Sequence, residues 1–257
     1  MMNFPIELVV LFAIMPRSFL TAEWRNLLMI NYAVDPAILK PFLPCKTELD
    51  AFNDVHYVSL VGFLFSNTKV LGISFPFHRT FEEVNLRFYV RYKEAERWRR
   101  GVVFIKEIVP RRAITFIANS LYGEKYATHP MKHEWKQLGE GLKVSYEWKV
   151  QNDWNYLKAI ADKNATPVLP DSEEEFITEH YWGYTFVNQS CSGVYEVQHP
   201  SWAVHKVNSF DVKCNSAVLY GPQFTDALSQ NPTSVFLAEG SPVTVMKGAK
   251  ILASVSS

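Results

Sequence analysis

Cysteine is scarce in this chain: Cys45, Cys191 and Cys214 are odd in number, widely spaced and outside any CxxC pattern. That excludes a disulfide framework as the basis of the fold and fits buried thiols in a reducing compartment, so a cytoplasmic location is expected. Glycine is sparse too, and no GxxxxGK[ST] loop or GxGxxG turn occurs, so no nucleotide or other cofactor is expected. The chain has no GxSxG elbow, because Asn188 precedes Gln189-Ser-Cys-Ser-Gly193 where a serine hydrolase would need glycine. An excess of either charge is missing, with 26 Lys plus Arg against 26 Asp plus Glu, so neither nucleic acid nor an anionic membrane is an expected partner. The N-terminal apolar run Leu8 to Met15 is far shorter than the ~20 residues of a membrane span. No Lys or Arg precedes it, and it reads as a packed strand or helix.

What the chain does have is apolar and aromatic mass, 48% hydrophobic and 14% aromatic, enough for a sizeable core. Strand signals dominate, as β-branched or aromatic runs bounded by turn residues. They cover Leu27 to Val34, Val55 to Phe65, Val84 to Tyr92, Val102 to Val109, Leu142 to Val150, Tyr181 to Val187, Val194 to Val197, Val235 to Ala238 and Val243 to Met246. The basic run Arg97-Trp-Arg-Arg100 follows Lys93-Glu-Ala-Glu96 and reads as a solvated hairpin tip. Helix signals are few. Asp35-Pro36 caps a short helix through Leu43, Pro110 opens one that stops before Gly123, and Asp171 to Glu175 starts a third near Phe176. With no repeat and no linker, residues 1–257 are expected to form one mainly β, β-rich α+β domain: an antiparallel β-barrel or sheet with a few short helices.

Several motifs resemble the acetoacetate decarboxylase-like fold superfamily, and most closely its uncharacterised YqjF-like family. Trp24-Arg25 through Tyr32, Asp35-Pro36 and Leu43-Pro44 resemble its opening: strand, tyrosine, aspartate-capped helix and Leu-Pro. Phe81-Glu82-Glu83 occupies the place of its aromatic-x-Glu motif. Tyr181-Trp-Gly-Tyr184, Tyr195 to Trp202 and Phe236 to Val245 extend the likeness to about Leu20–Ile251. The resemblance implies an active-site arginine at Arg25 and a pocket glutamate at Glu83. It places Lys125 on the family's proline, Tyr126 on its imine-forming lysine and Ala127 on that lysine's pKa-lowering partner.

The imine chemistry is therefore expected to be lost. A nucleophilic lysine must be neutral near pH 7, against an ordinary pKa of ~10.4. Lys125 stands one register step away, beside Glu124, whose charge opposes that neutralisation. A slip that brings Lys125 into the pocket remains an alternative.

Arg25, Glu83, Tyr126 and Lys125 are thus the candidate catalytic residues. The expected partner is a small carboxylate or carbonyl compound, with Arg25 gripping an oxygen and Glu83 and Tyr126 moving protons in an enolisation, hydration or cyclisation. The rival is a non-catalytic binding or structural protein in which these residues only pack. Homo-oligomeric assembly is left open. His129 and His133 superficially offer metal ligands, but Pro130 and the lack of an HExxH spacing argue against zinc, and no metal is expected.

Overall fold

A computed structural model describes residues 18–253; the apolar run Leu8 to Met15 lies outside them. In chain order the first strands are β1 (Ser18–Ala33), β2 (Thr47–Leu49), β3 (Tyr57–Val70), β4 (Phe81–Glu94) and β5 (Arg97–Val109). Helix α1 (Arg112–Tyr122) precedes β6 (Tyr126–Thr128), β7 (Met131–Leu138), β8 (Gly141–Val150), β9 (Asp153–Asp162) and β10 (Thr166–Pro167). After α2 (Glu173–Thr178) come β11 (Trp182–Asn188), β12 (Cys191–Gln198) and β13 (Ala203–Lys213). Short helices α3 (Ser216–Leu219) and α4 (Thr225–Ser229) lead to β14 (Ser234–Met246) and β15 (Ala249–Leu252).

The main path of the sheet runs β15-β12-β11-β5-β4-β3-β1-β14-β13-β9-β8-β7. Most pairs are antiparallel; β5 pairs in parallel with both β11 and β6. A further β12–β14 contact, Val197 with Val245 and Gln198 with Thr244, returns the sheet on itself. The pairings of β12, β11, β5, β4, β3, β1 and β14 therefore make a closed circuit. Strand accounts for 59% of the structure and helix for 14%, as the abundance of strand signals predicts.

Two hydrophobic clusters share the same strands through alternate residues. Leu28 and Ile30 of β1, with Leu86 and Phe88 of β4, belong to one; Leu27 and Met29 of β1, with Tyr89 of β4, belong to the other. They are two faces of one sheet, which is what side chains of period two require.

The helix signals resolve as follows. Asp35 accepts a hydrogen bond from the Ala37 amide at 2.8 Å, but Pro36 and Pro41 limit the segment to two 3-10 turns, Pro36–Ile38 and Lys40–Phe42. Helix α1 ends at Gly123, whose φ of 66° is the left-handed stop that glycine tolerates. Ser172, rather than Asp171, caps α2 by accepting from the Glu175 amide at 3.1 Å. The separate signals at Val235 and Val243 are one strand, β14, carried through Gly240 at φ 76°. The run Arg97 to Arg100 begins β5 after a tight turn at Ala95-Glu96, and its charges are used locally. The Arg99 guanidinium lies 4.2 Å from the Trp182 ring centre, and Arg100 pairs with Asp50 at 2.6 Å. Strands β7, β9 and β13 leave weak traces in the sequence, because half-exposed strands interleave Lys, Glu and Asp with their apolar residues.

Candidate functional site

Strand alternation builds the site. On β4, Glu83, Asn85 and Arg87 project from one face while Val84, Leu86 and Phe88 pack on the other. On β5, Glu107 stands opposite Asn85 across the ladder and opposite Tyr126 of β6 on its other side. Glu124, two residues before Tyr126, shares its face. These side chains enter a cavity of about 390 Å³ to which all seven strands of the closed circuit contribute. Trp24, Phe63, Phe65, Phe81 and Trp202 give it an aromatic wall, and Ile114, Ile117 and Ala118 of α1 cover it with the apolar side of that helix.

Hydrogen bonds tie the polar end into a chain. The Tyr126 hydroxyl donates to Glu83 Oε2 at 3.0 Å, and Asn85 Nδ2 donates to Glu83 Oε1 at 2.9 Å. Tyr126 also hydrogen-bonds Glu107, Glu107 shares a hydrogen bond with Glu124, and the Tyr195 hydroxyl donates to Glu124 Oε1 at 2.8 Å. The three carboxyls are buried, at 2% exposure for Glu83, 2% for Glu107 and 9% for Glu124.

Burial disfavours their charged forms, and the proximity of like charges adds to it. Desolvation pushes Glu83 up to about 7 against its bonds from Asn85 and Tyr126. Glu107 is raised well above the carboxyl range, first by burial and then by Glu124 and Glu83. Glu124 is raised mainly by burial as well. A carboxyl poised near neutrality, bonded to a phenol, can take or give a proton at physiological pH.

Among the described residues the only guanidinium lining the cavity belongs to Arg87, which is 8% exposed. One Nη donates to the Ile177 carbonyl at 3.3 Å, Nε has no partner, and among the described residues no carboxylate pairs with it. His180 lies on the same wall with its pKa lowered to about 4, chiefly by burial. Its Nε2 stands 3.5 Å from Asp50 Oδ2, a long contact whose pull toward the charged imidazole is outweighed by burial. Orphaned polar atoms concentrate here. Of eleven buried side-chain N or O atoms without a protein partner among the described residues, seven line this cavity: Trp24 Nε1, Thr68 Oγ1, Asn85 Oδ1, Arg87 Nε, Glu107 Oε2 and both ring nitrogens of His180. Buried polar groups are ordinarily satisfied, so this clustering marks a place built for a polar guest.

The structure brings Glu83 and Tyr126 together and leaves Arg25 and Lys125 out. Plain alternation from Leu27, which faces the cavity, would put Arg25 on the cavity side. Asn26 intervenes with φ 51°, and the pairing with β3 shifts register between Arg25 and Leu28. This bulge reverses the phase, so Trp24 faces the cavity and Arg25 turns outward to Glu23 Oε2 at 2.7 Å. The three-residue convergence expected from sequence is corrected to two.

Lys125 falls between two inward residues and so faces away, its ammonium 5.3 Å from the Phe42 ring centre on the other side of the sheet. Its pKa is lowered, first by desolvation. The opposing effect of Glu124, expected from sequence to dominate, comes second. No lysine lines the cavity among the described residues, and none of them form a group of three His, Cys, Asp or Glu placed to hold a metal ion.

Sequence reasoning missed Asn85, Arg87, Glu107 and Glu124 as site residues. The signal was present on β4, where Glu83-x-Asn85-x-Arg87 alternates with Val84, Leu86 and Phe88: a polar row at period two inside an otherwise buried strand.

Residues 21–242 match the family DUF2071, described as an uncharacterized conserved protein. The chain is 26% identical over 191 residues to the uncharacterized protein YqjF of Bacillus subtilis, covering 72% of this chain and 75% of that protein. Its fold is that of acetoacetate decarboxylase from Legionella pneumophila, at a TM-score of 0.65 and 13% identity, covering 94% of this chain and 90% of the other. The enduracididine biosynthesis enzyme MppR, in a complex with pyruvate, is equally similar, with a TM-score of 0.65, 13% identity and coverage of 95% and 93%. Among the described residues no helix is long and apolar enough to cross a membrane.

Proposed function

The chain belongs to the DUF2071 family, and we propose that its cavity binds a small metabolite bearing a carboxylate or carbonyl and performs acid/base chemistry without a lysine imine. The observation that carries this reading is the Glu83–Tyr126 pair, buried and hydrogen-bonded at 3.0 Å in the same cavity as the unpaired guanidinium of Arg87. Arg87 takes the role first expected of Arg25: a buried guanidinium offers bidentate donors to a carboxylate, and an unpaired one gains most from receiving it. Glu83, near neutrality, exchanges a proton with a carbon next to the ligand's carbonyl, and Tyr126 donates to the carbonyl oxygen as negative charge develops there.

The cavity's size speaks for a ligand with an apolar body. About 390 Å³ falls within the ~300–1,000 Å³ usual for small-ligand pockets, and most of the wall is aromatic or aliphatic. The neighbour MppR binds pyruvate, which is consistent with a carboxylate guest on this fold. The three cysteines are free, in keeping with a cytoplasmic protein.

Native mass spectrometry of the purified protein, followed by release and identification of co-purified small molecules, tests the reading. Enrichment of a monocarboxylate or ketone in the wild-type protein that disappears in R87Q supports it. A ligand retained undiminished by R87Q, or one with neither group, contradicts it.

A further inference from the structure

The cavity holds more acid than its own cations can balance. Glu83 and Arg87 of β4, Glu107 of β5, Glu124 and Tyr126 around β6, Tyr195 of β12 and His180 after α2 are titratable groups lining it, with His78 before β4 and His199 after β12. Three of these are carboxyls and one is a guanidinium. The nearest lysines in sequence, Lys106 and Lys125, do not line the cavity: each sits beside an inward glutamate, and strand alternation sends it to the opposite face.

Glu107 and Arg87 both line the cavity, and among the described residues neither the buried Glu107 Oε2 nor the buried Arg87 Nε has a partner. A carboxyl oxygen and a guanidinium nitrogen are thus unfilled in one enclosed space. Arg87 and Glu107 lie on adjacent strands: Glu107 pairs with Asn85, and Arg87, two residues further along β4, pairs with Phe104 across a shift of register. Both side chains line the same cavity, so one small molecule in it can meet both.

We infer that the guest of this cavity is a zwitterion of the amino-acid type with an apolar side chain, its carboxylate on Arg87 and its ammonium on Glu107 and Glu124. This rests on the proposed function, which supplies the carboxylate, and adds the amino group. In the empty cavity the clustered carboxyls relieve their mutual repulsion by holding protons. An ammonium supplies the missing positive charge, so its arrival expels a proton. A simple anion in the same place makes the carboxyls hold their protons more tightly. The sign of proton exchange on binding therefore separates the two guests.

Calorimetric titration of the full-length protein at pH 7, in phosphate and in Tris, uses L-phenylalanine and its deaminated counterpart 3-phenylpropanoate, with L-leucine and 4-methylpentanoate as the second pair. The amino acid of each pair should bind at least tenfold more tightly and release protons, giving an enthalpy that differs between the buffers with the sign of release. E107Q should cost the amino acids about tenfold and leave the deaminated acids within twofold. E124Q serves as a second variant, and thermal melts confirm that each is folded. Deaminated acids that bind as tightly as the amino acids, or proton uptake with every ligand, overturn the ammonium subsite while leaving the carboxylate reading intact. Failure of all four compounds to bind overturns both.

Discussion

Replacing Glu83 by glutamine should remove a measurable part of the protein's pH sensitivity. Glu83 is almost fully buried, and its carboxyl moves from 4.5 to about 7, chiefly through desolvation. Between those values the folded state keeps a proton that the unfolded chain gives up, so the group's contribution, fully present in acid, falls as pH rises and is gone above about 7. At about 1.4 kcal/mol per unit, the shift corresponds to about 3 kcal/mol.

The amide in E83Q can still accept from Tyr126, and its NH₂ can donate to Asn85 Oδ1, which now lacks a partner. The substitution should therefore cost little below pH 5 and stabilise above pH 7, by several degrees at about 2–4 °C per kcal/mol for a chain of this size. His180 adds an opposite trend: its depressed pKa of about 4 makes stability fall as pH drops from 6.5. The informative quantity is accordingly the difference between wild type and variant, from urea unfolding at half-unit steps between pH 4.5 and 8.5. A difference that stays flat across this range would refute the account of a proton held in the cavity.

R25A should leave ligand affinity unchanged and shift stability by at most about 1 kcal/mol in urea unfolding, since its partner Glu23 is a partly exposed surface ion pair outside the cavity. Gly240→Ala should destabilise by about 2 kcal/mol or more in the same assay. The position has φ 76°, and a Cβ there meets the Trp24 carbonyl at the bulge that aims Trp24 inward. Incubation with a β-keto acid and borohydride should leave the intact mass unchanged, because Lys125 faces away from the cavity; a stable adduct mapped to Lys125 would reinstate imine chemistry.

Much of the architecture was legible because the buried strands carry dense β-branched and aromatic runs. Val55 to Phe65, Val84 to Tyr92 and Val102 to Val109 are central to the sheet and stand out for that reason. Strands β9 and β13 did not, because an exposed face dilutes the apolar pattern with charge. Glu83 and Tyr126 were legible through motif placement. Arg25 was placed in the pocket by the family resemblance, and a one-residue bulge at Asn26, which motif placement cannot register, turns its side chain outward. Arg87, Glu107 and Glu124 become a site only when β4, β5 and β6 lie side by side, and no local pattern joins positions 87, 107 and 124.

The most direct test of the central claim is calorimetric titration of 3-phenylpropanoate into wild type and R87Q at pH 7. Hydrogen bonds to a charged group contribute about 1.5–3 kcal/mol, so the account predicts that wild type binds and that R87Q, still folded, binds at least tenfold more weakly. Equal affinity in the two proteins would contradict the assignment of Arg87 as the group that holds the carboxylate.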